Sequence, residues 1–168
     1  MGRYEDFWRV TRDALVYACE SLKMARDDSG LEELMAAYLT LGIYADVAPG
    51  LEKLSGFPLR ILSNGSPRML EAVVANAGIQ EMFAGVLSVD AVRIYKPNPA
   101  VYQMVLRKAD LPKEEIGFVS SNFWDICGAG AFGFRTFWLN RSGAIPEELD
   151  YRPTAILRSV PELATLAD

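Results

Sequence analysis

Polar and charged side chains occur in the segments that follow three predicted strands of this 168-residue chain. They are Ser63 and Asn64 after the first strand, Lys96 after the second, and Ser120, Asn122 and Asp125 after the third. Ligands of open α/β sheets bind beyond the carboxyl ends of the strands, so we expect these side chains to converge at one sheet edge. Two of the segments lead straight into helix N-termini, which favour anions, and Lys96 adds a full positive charge. The arrangement predicts a site for a small anionic substrate.

Each of these residues also has a purely structural interpretation. The alternatives are a turn for Ser63 and Asn64, a solvated surface for Lys96, a helix start for Asn122 and Asp125, and core packing for Tyr102 and Trp124. The functional interpretation is favoured because the residues follow several strands, whose carboxyl ends a parallel sheet brings to one side.

The composition removes several classes of site and partner. The chain contains no histidine, which excludes Ser-His-Asp hydrolysis, Cys-His proteolysis and histidine-ligated zinc. Its net charge of −5 without a long basic run makes nucleic acid and anionic membranes poor partners. No apolar run approaches the roughly 20 residues of a membrane span, and the first residues do not resemble a signal peptide. Cys19 and Cys127 form no C-x-x-C pair, which suits a reducing cytoplasm.

The spacing of apolar residues changes near residue 48. Before that point it has the period of helices, which we predict at about 7–22 and 31–41. After it, short helices alternate with apolar runs that predict strands at 59–62, 85–88, 116–119, 135–139 and 155–157. Such alternation indicates a parallel sheet covered by helices on both faces, so the predicted fold class is an open α/β fold.

Three segments resemble signature motifs of the haloacid dehalogenase superfamily, and more narrowly those of the (S)-2-haloacid dehalogenases. They are LSNGSP at 62–67, YKPNPAVY at 95–102 and FVSSNFWD at 118–125. GFRTFWLNRSG at 133–143 continues the resemblance, and RYEDFWRVTRDAL at 3–15 resembles the cap helix of these enzymes. The resemblance covers nearly the whole chain. It implies a Rossmann-like, mainly parallel sheet over residues 47–168 with a partial helical cap over residues 1–46.

The resemblance also implies a mechanism and a role for each candidate residue. In these enzymes an aspartate displaces the halogen with inversion, and water then hydrolyses the resulting ester. Such chemistry needs a counter-charge for the nucleophile, donors for the substrate carboxylate and a cradle for the halide. The implied catalytic residues are Lys96, Asp125, Ser120 and Asn122. The implied substrate-binding residues are Ser63, Asn64, Phe7, Trp124 and Tyr102.

The family's nucleophile motif, of the form D-x-x-G-T, does not occur in the 168 residues. The family's order of motifs would place it, with a central first strand, upstream of Met1, so we expect a truncated chain that is inactive alone. Loss of a central strand would leave backbone groups unpaired, which favours instability or a homodimer. Asp90, after the second strand, is a possible substitute nucleophile, but its position matches none in the family.

Three functional hypotheses follow. The first is a hydrolase of 2-haloalkanoate carboxylates, and the second is a degenerate, non-catalytic homologue that binds a small carboxylate or a protein partner. The third is a magnesium-dependent phosphatase of the same superfamily. Phosphatases usually carry a pair of acids in the segment where SSNFWD holds only Asp125, so we expect no metal and no cofactor. An in-frame D-x-x-G-T segment in the upstream coding sequence would favour the first hypothesis over the second.

Overall fold

Helices and short parallel strands alternate along residues 2–25 and 27–166, the part of the chain that the computed structural model describes. The helices are α1 (Phe7–Ser21), α2 (Asp28–Ala37), α3 (Val47–Lys53), α4 (Pro67–Asn76), α5 (Pro99–Leu106), α6 (Phe123–Phe132) and α7 (Val160–Leu163). The strands are β1 (Arg60–Ser63), β2 (Gly85–Ser88), β3 (Gly117–Ser120), β4 (Arg135–Leu139) and β5 (Ala155–Leu157). Within the described ranges, no helix is both long and apolar enough to cross a membrane.

The strands pair in parallel, which confirms the predicted α/β fold class. β1 pairs with β2, and their last residues, Ser63 and Ser88, lie opposite each other. β4 lies between β3 and β5 in a second sheet. Since paired parallel strands end on the same side, each sheet presents a row of carboxyl ends from which polar side chains can project.

The residue contacts divide the chain into two units. The first comprises Met1–Ile43 and Arg60–Arg93, with α1, α2, β1, α4 and β2. The second comprises Tyr44–Leu59 and Ile94–Asp168, with α3, α5, α6, α7 and the sheet of β3, β4 and β5. The predicted division into a cap at 1–46 and a core at 47–168 stays a prediction.

The second helix ends earlier than the apolar spacing predicts. α2 stops at Ala37, and the following amides of Tyr38, Leu39 and Thr40 bond the carbonyls three residues earlier. Such i→i−3 bonds belong to turns and 3₁₀ geometry rather than to an α-helix. Tyr38 and Leu41 are 41% and 51% exposed, so the apolar residues that suggested a longer helix gain little from burial there.

Residues of the types that favour N-caps precede several helices, but only some of their side chains make the capping bond. The Asn98 carboxamide accepts a hydrogen bond from the Ala100 N–H at 2.9 Å, as expected of an N-cap. Ser66 and Asn122 occupy N-cap positions, but neither side chain makes the capping bond. At α4 the proline at position 67 already fixes a helical backbone angle, so the start of that helix does not depend on the serine.

A modified capping box precedes the last helix. Glu162 accepts hydrogen bonds from the Ser159 hydroxyl at 2.9 Å and from the Arg158 N–H at 3.0 Å. These bonds lower the pKa of the Glu162 carboxyl, the backbone bond from Arg158 contributing most. The carboxylate therefore anchors the chain ahead of α7, whereas the serine donates to it instead of capping the helix.

Asp46 anchors the start of α3 inside the second unit. Its two carboxylate oxygens accept hydrogen bonds from the Arg141 guanidinium at 3.1 and 2.9 Å, and one of them also accepts from the Val160 N–H at 2.8 Å. The Arg141 bond is the main reason that the pKa of Asp46 lies below its usual range. The Arg141 guanidinium also lies 4.4 Å from the centre of the Tyr44 ring. One carboxylate thus joins α3, the residues after β4 and the first turn of α7.

Replacing Asp46 by alanine tests this anchor. The change removes a two-point ion pair and the acceptor of the Val160 N–H, so we expect the free energy of unfolding to fall by about 1–3 kcal/mol. Asp46→Asn keeps an acceptor without the charge and should lie between alanine and the parent. Urea unfolding at pH 7 measures the change, with Asp110→Ala at an exposed position as the control. An alanine variant as stable as the parent would contradict the anchor.

Candidate active site

Lys96 and Asp125 form a buried ion pair in the second unit. The Lys96 Nζ lies 3.0 Å from Asp125 Oδ2, and the two side chains are only 8% and 4% exposed. Removing two charges from water costs more than a simple pair regains unless further hydrogen bonds satisfy the remaining atoms. The Tyr102 hydroxyl supplies such a bond, donating to Asp125 Oδ1 at 2.9 Å. Both oxygens of this carboxylate are therefore engaged.

Tyr102 is held in place by an aromatic cluster. Its ring centre lies 5.7 Å from that of Phe118, 5.8 Å from that of Phe132 and 6.1 Å from that of Phe134. The contacts with Phe118 and Phe134 are edge-to-face, the arrangement that aromatic rings favour. Because the tyrosine is fully buried, its hydroxyl must find a partner inside the protein, and Asp125 is that partner.

Gly128 provides the space that lets the tyrosine reach Asp125. A Cβ at this position of α6 would lie 2.6 Å from both the Tyr102 Oη and the Pro97 Cβ, closer than real carbon contacts allow. Pro97 directly follows Lys96, so the absence of a side chain at Gly128 also leaves room for the backbone next to the lysine. The sequence analysis did not single out Gly128, because a glycine inside a helix carries no sign of which side chain packs on it.

Burial shifts two pKa values in this cluster. It lowers the pKa of the Lys96 ammonium, an effect that the negative charge of Asp125 opposes without cancelling. It raises the pKa of the Tyr102 hydroxyl, and the nearby carboxylate raises that pKa further. Tyr102 is thus a protonated donor that stabilises the charge on Asp125. The Phe118 ring, 5.1 Å from the Lys96 Nζ, adds a cation–π contact.

Ser120, Asn122 and Trp124 lie between β3 and the first turn of α6. The Ser120 hydroxyl oxygen accepts a hydrogen bond from the Asn122 N–H at 3.2 Å. The Ser121 carbonyl accepts one from the Trp138 indole N–H at 3.1 Å. These bonds fix the turn that follows β3. Asn122 is exposed and Trp124 is half-buried, so both are accessible to a ligand.

Ser63, Asn64 and Phe7 belong to the first unit. Ser63 ends β1, and its hydroxyl oxygen accepts a hydrogen bond from the Gly65 N–H at 3.1 Å. The Gly65 carbonyl accepts one from the Ser88 hydroxyl at 2.7 Å, which ties the ends of β1 and β2 together. Phe7 is the first residue of α1 and is half-buried.

The structure thus joins some of the predicted site residues directly. Lys96, Tyr102 and Asp125 are in contact, and Ser120 bonds the backbone of Asn122. Convergence of these residues with Ser63, Asn64 and Phe7, which lie in the other unit, stays a prediction. Among the described residues, no group of three or more His, Cys, Asp or Glu side chains is placed to hold a metal ion.

Asp90, the possible substitute nucleophile, lies just beyond the end of β2. Its carboxylate accepts a hydrogen bond from the Tyr4 hydroxyl, and its N–H donates to the Ser88 hydroxyl oxygen at 3.2 Å. The Arg93 guanidinium lies 5.1 Å from the centre of the Tyr4 ring. The sequence analysis did not single out Tyr4, because 86 residues separate it from its partner.

Comparison with known proteins identifies the family. The profile of the haloacid dehalogenase-like hydrolases matches residues 1–133. An (S)-2-haloacid dehalogenase of Pseudomonas putida is 41% identical over 166 residues, which are 98% of this chain and 73% of that protein. One from Xanthobacter autotrophicus is 47% identical over 134 residues, which are 80% of this chain and 53% of that protein.

Solved structures of dehalogenases indicate the same family as the sequence comparisons. The L-2-haloacid dehalogenase RSc1362 superposes with a TM-score of 0.95 at 45% identity, over 99% of this chain and 74% of that one. The L-2-haloacid dehalogenase of Xanthobacter autotrophicus with chloropropionic acid covalently bound superposes with a TM-score of 0.91 at 37% identity, over 99% of this chain and 77% of that one. The protein studied here therefore belongs to the haloacid dehalogenase-like hydrolases and is strongly similar to the (S)-2-haloacid dehalogenases.

Proposed function

We propose that this chain serves the hydrolysis of the carbon–halogen bond of small (S)-2-haloacids, giving (R)-2-hydroxyacids through an aspartyl ester. The observation that carries the proposal is the buried Lys96–Asp125 pair with its Tyr102 donor. A displacement by carboxylate needs a fixed cation in a dry site, and this network holds one. The relatives named above are (S)-2-haloacid dehalogenases, which supports the same reaction.

In this proposal Lys96 provides the counter-charge for the attacking aspartate. A neighbouring cation lowers the pKa of a carboxylic acid, so the nucleophile stays ionised in a site that excludes water. Asp125 keeps the lysine in place and helps to position the hydrolytic water. Its own oxygens are bonded by Lys96 and Tyr102, which argues for a supporting role rather than for attack on carbon.

The remaining residues take the roles that the resemblance to the (S)-2-haloacid dehalogenases implies. Ser120 would hold the nucleophile with Lys96, and the Asn122 carboxamide would orient it and bind the departing halide. Ser63 and Asn64 would donate to the substrate carboxylate, and Phe7 and Trp124 would wall the apolar pocket around its alkyl group. In the first step an aspartate oxygen bonds to C2 and the halide leaves with the electron pair of the broken bond. Water then cleaves the ester and restores the carboxylate.

The attacking aspartate is not among the 168 residues in its family motif, D-x-x-G-T. We therefore propose that the 168-residue chain does not turn over haloacid by itself and that the reaction needs an additional segment that carries this aspartate. The same observation favours a second candidate function, a non-catalytic homologue that binds a small carboxylate or a protein partner. The hydrolase and the binding protein can be distinguished by adding a segment that carries the aspartate, because only the hydrolase would then become active.

Compartment and assembly are further parts of the proposal. A cytoplasmic location is supported by Cys19 and Cys127, which are both free thiols. Instability, aggregation or a homodimer is our expectation for the 168-residue chain, and size-exclusion chromatography with light scattering would distinguish these outcomes.

Halide release tests the reaction directly. The 168-residue chain with 2-chloropropionate should give no chloride above background, because none of Ser63, Lys96 and Asn122 is a carboxylate placed for attack and the chain has no histidine to activate a serine or water. A chain extended by a family-type D-x-x-G-T segment should release chloride from the (S)-enantiomer and form the (R)-hydroxyacid, measured by ion chromatography and chiral chromatography. Robust turnover by the unextended chain would contradict the nucleophile argument. An extended, folded chain without turnover would favour the binding protein.

In the extended enzyme, substitutions in the buried network should abolish turnover. Lys96→Ala leaves the Asp125 carboxylate buried without its counter-charge and should remove nearly all activity, and Asp125→Ala should be similarly damaging. Lys108→Ala changes an exposed lysine of the same unit and should behave like the parent. Initial rates of chloride release measure all three. A Lys96→Ala enzyme with the parent's kcat would contradict the role assigned to the lysine.

Tyr102→Phe should reduce the loss of stability at alkaline pH. Because the folded-state pKa of Tyr102 lies above its usual value of 10.0, the unfolded chain loses this proton first, and stability falls as the pH rises above about 10. The variant has no hydroxyl at position 102 to titrate or to bond Asp125. It should therefore be less stable than the parent at pH 8, but its free energy of unfolding should fall less between pH 8 and pH 11. Urea unfolding across this range measures it, with Tyr17→Phe at a 73% exposed position as the control. Equal alkaline losses in parent and variant would show that Tyr102 does not titrate this way.

A further inference from the structure

Four hydrogen bonds connect the segment before α1 with the end of β1. The Tyr4 hydroxyl donates to the Asp90 carboxylate, and the Asp90 N–H donates to the Ser88 hydroxyl oxygen at 3.2 Å. The Ser88 hydroxyl donates to the Gly65 carbonyl at 2.7 Å, and the Gly65 N–H donates to the Ser63 hydroxyl oxygen at 3.1 Å. All five residues lie in the first unit. We call this series the Tyr4–Ser63 chain of hydrogen bonds.

We propose that Tyr4 and Asp90 are positioning residues, which set the orientation of the Ser63 hydroxyl for a substrate carboxylate through this chain. The inference rests on the proposed function, in which Ser63 binds that carboxylate. A serine hydroxyl has one proton to donate and two acceptor positions. Because the Gly65 N–H fills an acceptor position of Ser63, the serine proton is directed elsewhere and suits an anion.

The middle of the chain shows how a change at Asp90 would reach Ser63. The Ser88 hydroxyl accepts from the Asp90 N–H and donates to the Gly65 carbonyl, so a shift of residue 90 would act on the same hydroxyl that binds Gly65. Ser88 also lies opposite Ser63 in the register of β1 and β2. Val89, between Ser88 and Asp90, is fully buried and limits how far this segment can shift.

Tyr4 also lies close in sequence to a proposed wall of the substrate pocket. It precedes Phe7 by three residues, and Asp6 between them caps α1 by accepting from the Arg9 N–H at 3.2 Å. Holding Tyr4 on Asp90 therefore holds the start of α1, where Phe7 lies. The Tyr4–Asp90 bond would in this way position the proposed carboxylate donor and the proposed apolar wall together.

This role accounts for the carboxylate that the reaction leaves unused. Asp90 is half-buried and lies at a strand end, which made it a possible substitute nucleophile. One oxygen of Asp90 accepts a hydrogen bond from the Tyr4 hydroxyl, and a carboxylate that accepts such a bond is a weaker nucleophile than one without it. Its effect should therefore appear in substrate binding rather than in the chemical step.

Nuclear magnetic resonance of the 168-residue chain tests the proposal. The chemical shift of the Gly65 amide reports its hydrogen bond to Ser63. Titration with the probe (S)-2-chloropropionate gives a Kd for carboxylate binding. In Tyr4→Phe and Asp90→Ala we expect a displaced Gly65 amide signal and about three- to tenfold weaker binding, the effect of losing one net hydrogen bond. Asp90→Asn keeps an acceptor for the tyrosine and should recover most of the affinity. Tyr17→Phe and Asp110→Asn, at exposed positions, should match the parent.

The possible results separate this inference from the proposed function. If the parent does not bind (S)-2-chloropropionate, the carboxylate-binding role of Ser63 fails for the 168-residue chain, and the Gly65 amide signal in Tyr4→Phe still decides whether the chain of hydrogen bonds couples the two ends. Chloride release by the extended chain still tests the proposed function. If folded Tyr4→Phe leaves both the amide signal and the Kd unchanged, the positioning role is wrong. If Asp90→Ala does not fold, Tyr4→Phe, which removes one oxygen, carries the decision. In the extended enzyme the same variants should raise KM with little change in kcat, whereas a drop in kcat alone would also overturn the proposal.

Discussion

The second unit depends on one constraint: two buried charges must be neutralised inside an apolar cluster. Lys96 and Asp125 offset each other's charge, and Tyr102 supplies a further polar group at the second oxygen of the carboxylate. Tyr102 can do so because Phe118 and Phe134 fix its ring and Gly128 leaves space for its hydroxyl. The catalytic chemistry proposed here therefore depends on packing around a tyrosine.

A buried charge of this kind is a poor device for stability and a useful one for chemistry. Well-packed apolar side chains of equal volume would often stabilise a fold as much as an ion pair does. A site that must hold a carboxylate ionised, however, needs a cation that neither moves nor becomes hydrated. Burial lowers the pKa of Lys96, and the Asp125 carboxylate opposes that change. Asp125 thereby helps the lysine to keep the charge for which the site requires it.

The sequence predicts the fold better than it predicts the side-chain connections. Strand positions agree with the structure to within one residue, because short apolar runs between turn residues have few alternatives. The predicted end of α2 is wrong, since apolar residues at helical spacing need not be buried. At the site, motif resemblance indicated Lys96, Tyr102 and Asp125. The sequence analysis did not single out Gly128 or Tyr4, because close approach across a helix and contact over 86 residues leave no local pattern.

The two units use polar groups in different ways, and the difference follows from burial. In the second, full charges are sealed among aromatic rings, so removal of Lys96 leaves the Asp125 carboxylate buried without its counter-charge. In the first, hydroxyls, backbone groups and the Asp90 carboxylate would in our proposal transmit a geometric restraint from Tyr4 to Ser63, and each bond contributes little alone. A buried charge pair suits a step in which charge moves, since its electrostatic effect is strong. A series of hydrogen bonds that ends at a neutral hydroxyl suits recognition, because it can orient that donor without placing a further charge beside the substrate.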